Sequence, residues 1–159
     1  MDILEALRHD IVTLLKGRGA HAEFGSAVAD FPAHLRGVRP QGVPHTAWQL
    51  IEHLRIAQSD ILEFTRDPNH VSPEWPDGYW PATETPPGDA AWDASIAAYC
   101  KDSEAIQALV SNPDTGLTVP LTHGQSQTVL REALLAADHN AYHIGQLVML
   151  RILLGAWKA

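Results

Sequence analysis

From about Ser126 to Leu154 the chain reads as one long helix that is apolar almost all the way round. Counting ~100° per residue, Leu135, Ala136, Leu147 and Leu150 share one side, and Leu130, Leu134, Ala137, Ala141, Ile144 and Val148 lie on the other. A surface helix shows a single apolar stripe. A helix with two must be central or be covered by a second subunit. In a bundle of four every helix keeps an outer face, so the pattern predicts a homodimer. Gly155 closes the segment as a C-terminal stop. The same helix carries His139 and His143, which fall about 40° apart and one turn above each other. Two imidazoles so placed can ligate one metal ion, but two ligands make a weak site.

Three further segments have helical periodicity. The first, about Asp2 to Lys16, carries Ile3, Leu4, Leu7, Ile11, Leu14 and Leu15, with Asp2 as N-cap and Gly17 and Gly19 at its end. The second follows Pro44 and runs to about Thr65, capped by Thr46 and buried through Trp48, Leu50, Ile51, Leu54, Ala57, Ile61 and Phe64. The third runs from about Asp89 to Val110 and stops at Asn112-Pro113. Between His21 and Pro44 the chain is irregular, with a short helix expected near Ser26 to Phe31. Asp67 to Pro87 holds Pro68, Pro73, Pro76, Pro81, Pro86 and Pro87, a density that no helix survives. Trp75, Tyr79 and Trp80 make it too aromatic for a free linker, so it reads as an ordered crossover packed on the protein. Leu117 to Leu121 is expected to be extended.

The 159 residues are the size of one ordinary domain, read here as spanning 1–159. Eleven basic and nineteen acidic residues leave a net charge of -8, which argues against a nucleic-acid partner. No apolar run approaches the ~20 residues of a membrane span. The N-terminus lacks the basic start and apolar run of a signal peptide. Cys100, the single cysteine, has no internal disulfide partner and suits a reducing, cytoplasmic setting. It is expected to be a small packed residue.

A third metal ligand must come from another helix. His9, His21, His34, His45, His70 and His123 fall on a polar side, in loops or at helix edges, where solvated histidine is the simpler reading. His53 differs. Leu50, Ala57 and Phe64 project within about 60° of it, so it faces the core and needs a polar partner. By itself it reads as a satisfied core histidine. Combined with His139 and His143 it can complete a site, because inward side chains on two helices of a bundle converge. Three imidazoles leave a coordination position open for water or substrate, as in a catalytic zinc site. They also suit nickel, iron or copper. No His-Glu-x-x-His and no Glu-x-x-His pair is present, which removes the zincin and di-iron arrangements.

Two stretches resemble the DinB-like (DinB/YfiT) superfamily of metal-dependent bacterial proteins. One is Trp48-Gln49-Leu50-Ile51-Glu52-His53-Leu54-Arg55 with Gln58, Asp60 and Ile61. The other is Ala137-Asp138-His139-Asn140-Ala141-Tyr142-His143-Ile144-Gly145-Gln146, continuing through Leu150-Arg151 to Leu154-Gly155-Ala156-Trp157. Tyr79-Trp80-Pro81 and Trp92 resemble one subgroup. The resemblance implies an all-α four-helix bundle with a long crossover between its second and third helices, often dimeric. It implies a divalent metal on His53, His139 and His143; zinc or nickel is expected before iron or copper. Relatives include thiol-dependent S-transferases and isomerases, and the family name does not imply DNA binding.

The resulting expectation is a metal-dependent enzyme on a small molecule, a thiol S-transferase or hydrolase, with a low-molecular-weight thiol as one substrate. The alternatives are a non-enzymatic, dimeric metal- or small-ligand-binding stress-response module and a structural bundle whose histidines bond one another. Asp60, two turns after His53, can orient a ligand or act as a base, although a solvent-exposed carboxylate is the simpler reading. Gln146, one turn beyond His143, can touch a ligand or bridge helices. Glu52 points about 100° away from His53 and Tyr142 reads as packing.

Overall fold

Asp2 and Thr46 act as their side chains predict. Asp2 accepts from the Glu5 N–H while the Glu5 carboxylate accepts from the Asp2 N–H, and Thr46 and Gln49 repeat this reciprocal capping box. In the computed structural model, which describes residues 2–157, these caps open the first and third of five α-helices. The helices are α1 (Ile3–Leu15), α2 (Phe24–Val28), α3 (Ala47–Arg66), α4 (Asp89–Ser111) and α5 (Val129–Leu153). Short 3-10 turns lie at Ala33–Leu35 and Asp77–Tyr79, and there is no strand among the described residues. The long helices α1, α3, α4 and α5 form the bundle, and α2 packs beside α5.

Two helix starts differ from the periodicity. α2 begins and ends earlier than expected, because Ala29 leaves helical geometry and Asp30 takes a positive φ of 50°. α5 starts at Val129, with Thr128 accepting from the Arg131 N–H. The Gln127 side chain accepts from the Gln125 and Ser126 N–H groups instead, folding them into a turn. Leu117 to Leu121 is tied to the approach to α5, through Leu121 N–H to Gln127 O and Leu130 N–H to Leu117 O.

The apolar core has two parts. One joins the first half of α3 (Trp48, Leu50, Ile51, Leu54) to the second half of α5 (Ile144, Leu147, Leu150). The other joins the end of α3 (Ile61, Leu62) to the start of α5 (Val129, Ala133, Ala136, Ala137). The two helices therefore run antiparallel, and between the two apolar parts lies a polar layer with His53, Gln58, Asn140 and His143 all buried. The crossover is held over this layer. Thr46 Oγ1 donates to Glu84 O and Trp48 Nε1 donates to Thr83 Oγ1.

The face of α5 expected to await a partner is covered from within. Ala137 and Ile144 are buried by this chain's own helices. Leu134 of that side stays exposed, and the other uncovered apolar side chains form a strip beside it, with Leu135, Tyr142, Met149, Ile152 and Leu153 exposed. Cys100 is also corrected: it is exposed, and Tyr99 takes the inward position beside it. No helix among the described residues is long and apolar enough to cross a membrane.

Candidate metal centre

The capping box at Thr46 fixes where α3 starts, and with it the phase that turns His53 inward, 3% exposed. On α5 the i, i+4 spacing places His139 and His143 opposite it. The three rings converge: His53 Nε2 lies 3.1 Å from His143 Nε2 and 3.0 Å from His139 Nε2. One ring nitrogen from each falls within 4.8 Å of the others. For a tetrahedral site with metal–nitrogen bonds of ~2.0–2.1 Å, the nitrogen–nitrogen edge is about 3.3 Å, close to what these rings show.

Hydrogen bonds on the far side of two rings fix their tautomers. His53 Nδ1 donates to Tyr79 O at 2.9 Å, an acceptor that cannot donate. His143 Nδ1 donates to Gln146 Oε1 at 2.7 Å. Both rings therefore carry their proton on Nδ1 and present a lone pair at Nε2. Two lone pairs facing each other at hydrogen-bond distance repel unless a cation stands between them. Burial pushes the pKa of His53 below 6.5, and burial with neighbouring imidazoles lowers His139 to about 4. His143 falls to about 4 for the same leading cause, burial. The rings are neutral at neutral pH, which is the state that ligates a metal. The donor set fits a divalent ion and can hold one.

Asp60 is not the exposed carboxylate that its position suggested. It accepts from His70 Nε2 at 2.7 Å and from the Tyr79 hydroxyl at 2.6 Å. Burial and this bond to Asp60 raise the Tyr79 pKa to about 12. The carboxylate thus holds Tyr79, whose carbonyl holds His53, without itself bonding a ring of the cluster. Gln146 does bond a ring. Glu52 turns away, as expected, to Arg55 and Ser95.

Other contributors were missed in the sequence. Trp80 stacks on His53 with centroids 3.9 Å apart and planes 2° from parallel, and stacks on His45 at 3.9 Å. His45, His70 and His123 are not free loop histidines: His123 bonds Phe64 O, and the other two have the partners just named. The only signal for these contacts was the aromatic content of the crossover. Tyr142 sets its ring edge-on to His143 and is otherwise exposed. Beside the cluster an apolar cleft of about 430 Å³ is lined by Val43, Pro44, Leu50, Gly145, Met149 and Leu153. His45, Tyr142 and Gln146 complete its lining.

A sequence profile of the DinB superfamily matches residues 18–147. The chain belongs to the DinB superfamily. The matched residues run from just before α2 into α5 and include all three converging histidines together with the crossover. No curated protein and no solved structure matches the chain.

Proposed function

We propose that this DinB-superfamily protein binds a divalent metal ion, zinc or nickel before iron or copper, through His53, His139 and His143. We further propose that it uses the ion on a small molecule, as a thiol S-transferase or a hydrolase. The observation that carries the reading is the meeting of three neutral imidazoles at Nε2, two of them locked by Nδ1–H bonds to Tyr79 O and Gln146 Oε1. A bound ion would supply Lewis acidity, bringing coordinated water or thiol to a pKa near neutral. The chain's own part is to hold the rings, with Trp80 shielding one face of His53 and Asp60 anchoring Tyr79 behind it. The cleft beside Gln146 offers room for an apolar part of the substrate. A cytoplasmic setting suits the free Cys100.

The second reading is a non-enzymatic, dimeric metal- or ligand-binding stress-response module. The exposed apolar strip of α5 beside the site favours it.

Metal content of protein purified without a histidine tag tests the first claim. One equivalent of divalent metal is expected, and added zinc or nickel should raise the melting temperature of stripped protein; His53→Ala should abolish both. Metal-free protein indifferent to either ion sinks the site. Turnover separates the two readings: conjugation of a small thiol to an electrophile, lost in His53→Ala, supports the enzyme. Metal-replete protein inert across thiol and hydrolase substrates supports the binding module.

A further inference from the structure

Three imidazoles meet at this centre, but only two have an evident acceptor behind them. Five buried side-chain nitrogen or oxygen atoms lack a hydrogen-bond partner among the described residues, and three of them belong to one small group: His139 Nδ1, Asn140 Oδ1 and Gln58 Nε2. Gln58 is fully buried on α3 and Asn140 is 5% exposed on α5. They share one bond, Asn140 Nδ2 to Gln58 Oε1 at 2.8 Å. An amide facing an amide can make two such bonds, so the pair is half closed.

The unpaired atoms complement one another. Two are donors, the Gln58 amide N–H and, in the tautomer that leaves Nε2 free, the His139 Nδ1–H. The third, Asn140 Oδ1, is an acceptor with two lone pairs. The Asn140 side chain already acts on His139 as a hydrogen-bonding neighbour, short of good bond geometry. One bond from His139 Nδ1–H and one from the Gln58 amide N–H to Asn140 Oδ1 would pair all three atoms.

We infer that Asn140, braced by Gln58, is the positioning residue for His139: its Oδ1 accepts the His139 Nδ1–H and commits Nε2 to the metal. The inference rests on the metal reading above and completes its logic. Tyr79 O, Gln146 Oε1 and Asn140 Oδ1 would each fix one ring by one Nδ1–H bond, from the crossover, from the same helix, and from an amide pair spanning α3 and α5. Metal-bound histidines are commonly held through their other ring nitrogen in this way. The half-closed pair also explains why Gln58, a fully buried amide, sits between two apolar parts of the core.

Nitrogen-15 NMR of the histidine side chains in zinc-loaded, untagged wild-type protein reads the tautomer directly and requires no variant to fold. His139 should be protonated at Nδ1 and bonded to zinc through Nε2. The double variant Gln58→Leu with Asn140→Leu removes both amides together, so neither is left without the other, and His139 Nδ1 is already unpartnered in the metal-free structure, so the metal-free fold should survive. It should bind zinc about 10–100-fold more weakly and shift the visible bands of the cobalt-substituted protein. Asn140→Asp keeps an acceptor and should restore affinity. The inference is overturned by zinc on His139 Nδ1, by a double variant that binds zinc like wild type, or by Asn140→Asp as weak as the double variant. Wild type that takes up no zinc overturns the metal reading itself, and this inference with it.

Discussion

His139 and His143 carry a pH signature that the metal-free protein should display. Their folded pKa values lie near 4, mainly through burial, whereas the unfolded chain protonates near 6.5. As pH falls below 6.5 the unfolded state takes up protons first, so stability is flat above that point and declines toward pH 4. Chemical denaturation of metal-stripped protein at pH 7.5 and pH 5 should show the loss, and His139→Gln with His143→Gln should flatten it. An unchanged slope in that variant would assign the acid sensitivity to other groups. Asp60 makes a second prediction at this scale. Replacing it with Ala removes charge-assisted bonds to Tyr79 and His70 and should destabilise the protein by about 1–3 kcal/mol. Because Tyr79 O supports His53, zinc affinity should fall as well; stability lost with affinity unchanged would detach Asp60 from the centre.

At the scale of the element, the sequence carried most of what the structure shows. Capping residues and apolar period gave α1 and α3, and apolar period with the Asn112-Pro113 stop gave α4, each within a residue or two, since these are local signals. The inward phase of His53, His139 and His143 followed from 3.6-residue geometry. What was not legible depends on loops closing over long distances: Trp80 on His53, Tyr79 O behind it, and the burial of Asp60 by a crossover that no periodicity describes. Gly145 is a further local case. A glycine inside a helix costs about 0.5–1 kcal/mol relative to alanine, and a Cβ here would meet nothing within 4 Å. Gly145→Ala should therefore raise the melting temperature by about 1–4 °C, measured calorimetrically on metal-free protein. A lower value would show that a dimer seam on this face of α5 approaches the helix backbone at Gly145 too closely to admit a Cβ.

At the scale of the whole molecule, that face is where the proposed dimer would form. Leu135, Tyr142, Met149 and Ile152 are 37%, 64%, 56% and 48% exposed, large apolar side chains that this chain covers only in part. With Asp138 and Gly145, also exposed, they recur at alternating three- and four-residue steps, the repeat of a helix-pairing seam. An apolar strip of this length on a monomer would be an aggregation liability. A second copy laid α5 against α5 buries it through one isologous contact. Ala137 and Ile144, buried by this chain's own helices, lie outside the seam, so pairing needs no change in the bundle. Light scattering after size-exclusion should give twice the chain mass. Met149→Glu, which places a charge in the C-terminal half of the seam without touching the buried core, should give a single chain of unchanged helicity. A wild-type monomer at tens of micromolar, or a Met149→Glu dimer, would rule the seam out. The apolar cleft shares Tyr142, Gly145 and Met149 with the seam, so dimer formation would also wall in the approach to the histidines.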